Sequence, residues 1–389
     1  MLPCFSQTNN SQDQLLIGLD SEPERLNPIT LKDPKTFKIA WQIYEGLIGL
    51  DEDGHVIPKI AEKWETEDNK TWIFHIRKGI KFHTSDIFDT PDKTRTVTAH
   101  DVLYSYTRFC SSEAYPSFVI KDSIKGASEY NAKKVDSVEG LKVIDDYTLQ
   151  IELNKPEPFF LNRITTPWIA IFPREAENDK FKDKWGFQIA VGTGPYQLIS
   201  NNDNEVILEA QNNYWDKARV PKVGRLVYRI IKNDQLRFSQ LQRDNINLME
   251  LPNTLFPLVF DNDGTLKEKY MHNFTIKPAR TFNTHFIGMN LKKIQDVHLR
   301  RAMFYGTCRN KIVQKILYGY GEITGGAIPA GMSGYVPNYE TLYNSEKARE
   351  ELKLSNYDGR EIELLVHDLA NSEQIGLVFQ KQMNDIGIN

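Results

Sequence analysis

The sequence predicts an α/β protein with more than one domain, and three observations lead to this prediction. The chain has 389 residues, enough for two or three domains of roughly 150 residues each. Runs with alternating apolar residues, which predict strands, are interspersed with runs of helical periodicity. The last 30 residues read as a strand over 361–366 and an amphipathic helix over 372–385, an order typical of parallel sheets.

The individual elements follow from their apolar spacing. A helix is predicted over 38–48, because Ile39, Ile43 and Leu47 fall on one face. The capping-box pattern from Thr98 to Asp101 predicts the start of a second helix. Further predictions are a strand over 71–77, hairpins over 141–153 and 196–209, strands over 225–231, 246–251 and 285–290, and helices over 297–305 and 311–317. Four tryptophans are predicted to be core residues: Trp41, Trp64, Trp72 and Trp215.

Charge and cysteine content exclude several classes of protein. The net charge is −4 and no basic stripe runs along the chain, so nucleic-acid binding is not indicated. No run approaches the ~18 apolar residues of a transmembrane helix. The cysteines Cys4, Cys110 and Cys308 form neither a disulfide framework nor a metal-binding pair. A Cys110–Cys308 bridge is conceivable, but two buried thiols are favoured.

Catalytic and metal-binding patterns are absent from the sequence. The eight histidines form no zinc motif, and His83 and His100 are interpreted as local polar contacts. The run 51–54 lacks most of a calcium loop and is interpreted as a turn. The glycine-rich run 192–196 lacks the lysine of a phosphate loop, and no nucleophile elbow occurs. The sequence therefore favours a binding protein without a cofactor over an enzyme.

The N-terminal residues carry one cysteine before a polar stretch. Cys4 is followed by a run rich in Ser, Asn and Gln, and an apolar strand begins near Leu15. A bacterial lipoprotein has this order just after its cleavage site, where the cysteine carries the lipid. Residues 1–14 are therefore interpreted as a tether with Cys4 as the lipid attachment residue. An ordinary frayed terminus is the alternative.

Seven short segments share their order and composition with a known family. They are 21–28, 44–64, 72–83, 98–102, 191–196, 213–215 and a final group from 290 to 329 that includes the run 297–302. Together they resemble the solute-binding proteins of bacterial oligopeptide, dipeptide and nickel ABC importers (family 5), with the oligopeptide-binding branch closest. The resemblance extends from about residue 15 to residue 389.

This resemblance implies a fold and a function. The fold is a two-lobed, clam-like periplasmic-binding-protein fold (type II). Residues 15–255 would form the first lobe, with an inserted extra domain at about 55–190, and residues 256–389 part of the second lobe. Short peptides would be enclosed between the lobes and passed to the permease and ATPase subunits of an importer. The protein would be a periplasmic or extracytoplasmic monomer, with a lipid anchor as its only membrane link.

The resemblance also implies ligand-binding residues. The segment with Ser21, Glu22, Pro23 and Glu24 would line the cleft and offer main-chain groups to the ligand. Tyr115 and Phe118 would border the cleft, with a core position as the alternative. Met249, Glu250 and Leu251 follow a ligand-facing strand of the family. The run 192–196 would shape the cleft wall.

The sequence also departs from the family pattern. Family members continue beyond residue 389, and the aspartate that pairs with the peptide amine cannot be assigned here. The second lobe is therefore expected to be incomplete. Three alternatives stay open: the same fold binding nickel chelate, haem or a sugar; a truncated fragment without transport function; and an enzyme such as a glycosidase.

Overall fold

The computed structural model describes residues 2–6, 13–51, 53–166, 168–278, 283–324, 326–332, 334–336, 343–367 and 371–389. The strands, in chain order, are β1 (Leu2–Ser6), β2 (Gln14–Leu19), β3 (Ile48–Leu50), β4 (Val56–Pro58), β5 (Ala61–Glu65), β6 (Thr71–Ile76), β7 (Leu141–Asp145), β8 (Thr148–Glu152), β9 (Tyr196–Asn201), β10 (Glu205–Ala210), β11 (Arg225–Ile230), β12 (Leu248–Leu251) and β13 (Phe274–Ile276). The α-helices are α1 (Pro34–Ile43), α2 (Ala99–Cys110), α3 (Ala127–Asn131), α4 (Phe160–Ile164), α5 (Asp234–Gln242), α6 (Phe256–Val259), α7 (Val297–Gly306), α8 (Arg309–Lys315), α9 (Ser345–Leu354) and α10 (Ser372–Ile386). In this part of the chain, no helix has both the length and the apolar character that a membrane crossing requires.

The chain divides into two compact units, residues 11–230 and residues 1–10 with 231–389. The division between lobes near residue 255 and the extra domain at about 55–190 stay predictions, and residues 55–190 lie within the first of these units.

The unit of residues 11–230 contains two multi-stranded β-structures. In one, the strands follow the order β2-β11-β10-β9, with β2 parallel to β11. In the other, the antiparallel order is β5-β6-β8-β7, and β3 pairs separately with β4. Both predicted hairpins, over 141–153 and 196–209, are confirmed.

The packing of the second sheet follows from its alternating sequence. Along β6 the inward side chains are those of Trp72, Phe74 and Ile76, and the intervening residues are half-buried. Helix α2 begins at the predicted capping box, where Asp101 accepts a hydrogen bond from the Thr98 amide at 2.9 Å. The inward residues of α2 join the same core as β6.

The unit of residues 1–10 and 231–389 contains a three-stranded antiparallel arrangement and a helical cluster. Strand β1 lies between β12 and β13. Helices α7, α9 and α10 pack together around a second core. Its buried residues include Leu299, Met303, Ala348, Met383 and Ile386.

The structure corrects three secondary-structure predictions. Leu2–Ser6, predicted as part of a tether, form strand β1, and Gln14 already belongs to β2; residues 7–12 lie outside the described residues. Residues 285–290 and 361–366, both predicted as strands, form no strand in the structure. Their sequences alternate as strands do, but a strand also requires a hydrogen-bonded neighbour.

The tryptophan and cysteine predictions have mixed outcomes. Trp72 is buried, and Trp64 and Trp215 pack against the core with partial exposure. Trp41 is 53% exposed, so its prediction as a core residue is wrong. Cys110 and Cys308 are free thiols, so the favoured absence of a bridge is confirmed; Cys110 is buried as predicted, whereas Cys308 is only half-buried.

Candidate ligand-binding site

The predicted ligand segment lies directly after β2 and is fixed against the start of α1. Residues 22–27 have no regular secondary structure. The Glu24 amide donates to Thr36 Oγ1 at 2.8 Å, and Lys35 Nζ pairs with Asp20 Oδ2 at 2.8 Å. Thr36 is itself held by the N-cap of the helix, because its amide donates to Asp33 Oδ2 at 3.0 Å. The first turn of α1 therefore positions this segment.

Part of the main chain of this segment makes no hydrogen bond with the described residues. The Leu26 amide donates to the Gly186 carbonyl at 2.6 Å, and the Tyr44 hydroxyl donates to the Leu26 carbonyl at 2.8 Å. In contrast, the carbonyls of Pro23, Glu24 and Arg25 accept no hydrogen bond from the described residues. Carbonyl groups without a partner can accept further hydrogen bonds.

Tyr115 and Phe118 lie on a short 3-10 helix, Tyr115–Val119, in the same unit. Their exposed fractions are 46% and 52%, so neither is a core residue. The two rings meet edge to face with centroids 6.0 Å apart. The Tyr115 amide donates to the Ile29 carbonyl at 2.9 Å, which ties this helix to the chain just after the 20–27 segment.

The third predicted group lies in the other compact unit. Met249, Glu250 and Leu251 belong to β12, and the side chains of Met249 and Leu251 are fully buried. Because side chains alternate along a strand, only Glu250 of the three points to the opposite face. Cys4 belongs to β1, where its backbone is in register with Met249 and Ile276.

A buried carboxylate that the sequence analysis did not single out connects three of the seven segments that carry the family resemblance: 44–64, 191–196 and 213–215. The carboxylate of Glu45 accepts hydrogen bonds from Tyr214 Oη at 2.6 Å, Trp215 Nε1 at 2.7 Å and Thr193 Oγ1 at 3.0 Å. Lys59 Nζ lies 3.5 Å from it. Burial and the neighbouring carboxylate raise the pKa of Tyr214 far above its usual value, so its phenol remains a donor. Glu45 therefore ties these three segments together.

The glycine-rich run 192–196 is held by a buried histidine. His83 Nε2 lies 2.8 Å from the Gly194 carbonyl oxygen, and the Gly192 amide donates to Nδ1 at 3.4 Å. Burial lowers the pKa of His83 to about 4, so the ring is neutral at pH 7, with its proton on Nε2. His83 therefore makes local polar contacts, as predicted, and it fixes the backbone of residues 192–194.

One cluster in the described residues has the composition of a metal site. Asp51, Asp53 and His55 offer ligand atoms that lie within 4.8 Å of one another. Asp51 Oδ1 accepts the amides of Asp53 and His55 at 3.0 and 2.8 Å, which closes the turn between β3 and β4. The predicted turn at 51–54 accounts for this arrangement without a metal ion.

Comparisons with known proteins identify a family. The family model described as "Bacterial extracellular solute-binding proteins, family 5 Middle" matches residues 55–389. The chain is 28% identical over 349 residues to a dipeptide-binding protein of Escherichia coli, which covers 86% of this chain. It is 29% identical over 327 residues to heme-binding protein A of Haemophilus influenzae, covering 81% of this chain.

Among solved structures, DppA of Helicobacter pylori in complex with the peptide STSA has a TM-score of 0.73 at 21% identity, covering 97% of this chain and 72% of that one. This likeness confirms the predicted α/β periplasmic-binding-protein fold. The chain spans 62% of the length of the E. coli relative and 57% of the H. influenzae relative. Because the family model covers most of the sequence, the chain belongs to the bacterial extracellular solute-binding proteins of family 5.

Proposed function

We propose that this chain captures short peptides as the solute-binding component of an ABC importer. The observation that carries the proposal is the open main chain at Pro23, Glu24 and Arg25, held in place by α1 in a chain of this family. A peptide presents amide N–H groups along its whole length, so carbonyls without partners suit any peptide sequence. Relatives named as dipeptide-binding and a neighbour solved with a bound peptide support this substrate class.

The proposed role involves binding and release without breaking a bond. Family membership supports solute binding, and the buried polar groups at Glu45 and His83 are saturated by structural partners. We propose that transport energy comes from separate permease and ATPase subunits. The site residues of the proposal are the segment from Ser21 to Glu24 with Tyr115 and Phe118. Glu250, in the unit of residues 1–10 and 231–389, stays a predicted ligand-binding residue.

The proposed location is extracytoplasmic, in keeping with the family. Lipid attachment at Cys4 is part of the proposal. It is tested by the intact mass of the protein isolated from a bacterium that expresses its gene. A mass increase lost in a Cys4→Ser variant supports lipidation, and an unmodified Cys4 contradicts it.

A haem ligand is the second candidate, because one relative is named as a haem-binding protein at similar identity. Peptide and haem are separated by one experiment, a thermal melt of the chain with each ligand. Binding to the native state stabilises it by about 2.7 kcal/mol at a ligand concentration 100 times the Kd.

The melt compares a mixture of two- to five-residue peptides, the corresponding free amino acids, and haem. We expect the peptide mixture to raise the midpoint by several degrees and the amino acids to leave it unchanged. An upward shift with haem alone would replace the peptide by haem as the ligand. A midpoint unmoved by all three would contradict solute capture by this chain.

A further inference from the structure

Five aromatic side chains form a continuous run in the unit of residues 11–230. Trp41 contacts Phe37 with ring centroids 6.5 Å apart, and Phe37 meets Trp168 edge to face at 5.1 Å. Trp168 then meets Phe118 at 5.5 Å, and Phe118 meets Tyr115 at 6.0 Å, both edge to face. We call these five residues the aromatic run.

Two rings of the aromatic run are buried or half-buried, and the other three are about half exposed. Phe37 is buried, and Trp168 is half-buried with its Nε1–H donating to the Leu31 carbonyl at 3.1 Å. Trp41, Tyr115 and Phe118 are each about half exposed in the whole chain. Isolated exposed aromatic residues are ordinary, but contacting rings expose a contiguous apolar surface, which is typical of a binding site.

The run adjoins the segment proposed to pair with a peptide main chain. Thr36, which holds the Glu24 amide, directly precedes Phe37 in α1. Tyr115 is tied to the Ile29 carbonyl, a few residues beyond the same segment. The contacts of Thr36 and Ile29 therefore link the aromatic run to residues 23–25. The side chains of a ligand that pairs with residues 23–25 could contact these rings.

The arrangement of the rings favours an aromatic side chain on the ligand. Aromatic rings prefer edge-to-face or offset contacts, and such pairs contribute beyond simple area burial. Packing among the run's own members fixes these rings before the ligand arrives, so little side-chain entropy is lost on binding. An aliphatic or polar ligand side chain gains less from such a surface.

We propose that the aromatic run is a side-chain subsite that selects peptides carrying an aromatic residue. This inference rests on the proposed function and deepens it, because pairing with main-chain carbonyls alone suits any peptide sequence. Phe118 is the central residue of the exposed part, since it contacts both Tyr115 and Trp168.

The test compares two peptides of equal length and charge, Ala-Phe-Ala and Ala-Ala-Ala, by isothermal titration calorimetry. We expect the wild-type chain to bind Ala-Phe-Ala at least tenfold more tightly, which corresponds to about 1.4 kcal/mol. Phe118→Ala should reduce this ratio to within about threefold of unity, whereas Phe118→Trp should retain it, because a ring remains in place.

The matched control is Phe159→Ala. Phe159 is 70% exposed in the same unit and makes no ring contact with the described residues, so its truncation should leave the ratio unchanged. A thermal melt of each variant confirms that it folds. Equal affinity of the wild-type chain for both peptides would overturn the subsite while leaving peptide capture intact.

Two further outcomes also overturn the inference. If neither peptide binds, the proposed function fails together with the subsite. If the ratio falls equally in Phe118→Ala and Phe159→Ala, the preference arises elsewhere than in the aromatic run.

Discussion

Replacing the buried Glu45 carboxylate is expected to destabilise the unit of residues 11–230 strongly. The carboxylate is 5% exposed and accepts three hydrogen bonds of 2.6 to 3.0 Å. Glu45→Ala would leave the hydroxyls of Tyr214 and Thr193 buried without an acceptor, and each such group costs about 1–3 kcal/mol. Because the hydrogen bond from Trp215 Nε1 is also lost, we expect the free energy of unfolding to fall by about 3–5 kcal/mol.

The assay is urea unfolding followed by tryptophan fluorescence, in which a shifted midpoint at constant slope reports the change in stability. Glu45→Gln keeps one acceptor oxygen but loses the charge, so its loss should be intermediate. The control is Glu209→Ala, because Glu209 pairs with Arg225 at 3.2 Å on the surface, and such pairs contribute about 0.2–1 kcal/mol. A Glu45→Ala variant within 1 kcal/mol of the wild type would refute the reasoning.

Two further predictions concern the glycine-rich run 192–196 and the residues that pack against it. Burial lowers the pKa of His83 from 6.5 to about 4, so between these pH values the unfolded state binds a proton that the native state does not. Stability should therefore fall by up to about 3 kcal/mol as the pH drops through this window. The plot of urea midpoint against pH should be flatter for His83→Gln, and an equally steep plot would exclude this residue as the cause. Gly192→Ala should cost about 1–3 kcal/mol, because a Cβ there would collide with the Ile43 carbonyl oxygen. Gly49→Ala is its control, since the three atoms nearest to that Cβ belong to the flexible Lys59 side chain and not to the backbone; equal losses in both variants would contradict the packing argument.

Much of the fold could be predicted from the sequence, because local periodicity alone determines which face of an element is buried. The strand β6 and helix α2 show this, since their apolar residues recur at the expected spacing. The error at Trp41 came from treating tryptophan as a core residue by type. Ile39 and Ile43 mark the buried face of α1, and Trp41 lies two residues, or about 200°, from each.

The predicted strands at 285–290 and 361–366 failed for a different reason. Alternation tells which side chains could share a face, but a strand exists only when its backbone groups pair with a neighbour. In the structure these segments expose Phe286 and Leu365 at 82% and 83%. A one-dimensional pattern contains no information on which segments become neighbours, so this outcome could not be predicted from the sequence.

The candidate site stays a prediction, and its residues differ in how strongly packing constrains them. Four of the seven segments that carry the family resemblance meet at the Glu45 network and at His83, where substitution leaves a buried polar group unsatisfied or creates a clash. Such positions tolerate few residue types and make recognisable motifs. Surface rings such as Trp41 and Phe118 have no comparable packing constraint, so they can vary with the ligand. We therefore expect these segments to reflect the packing of the scaffold, and we expect exposed rings such as Phe118 to depend on the ligand.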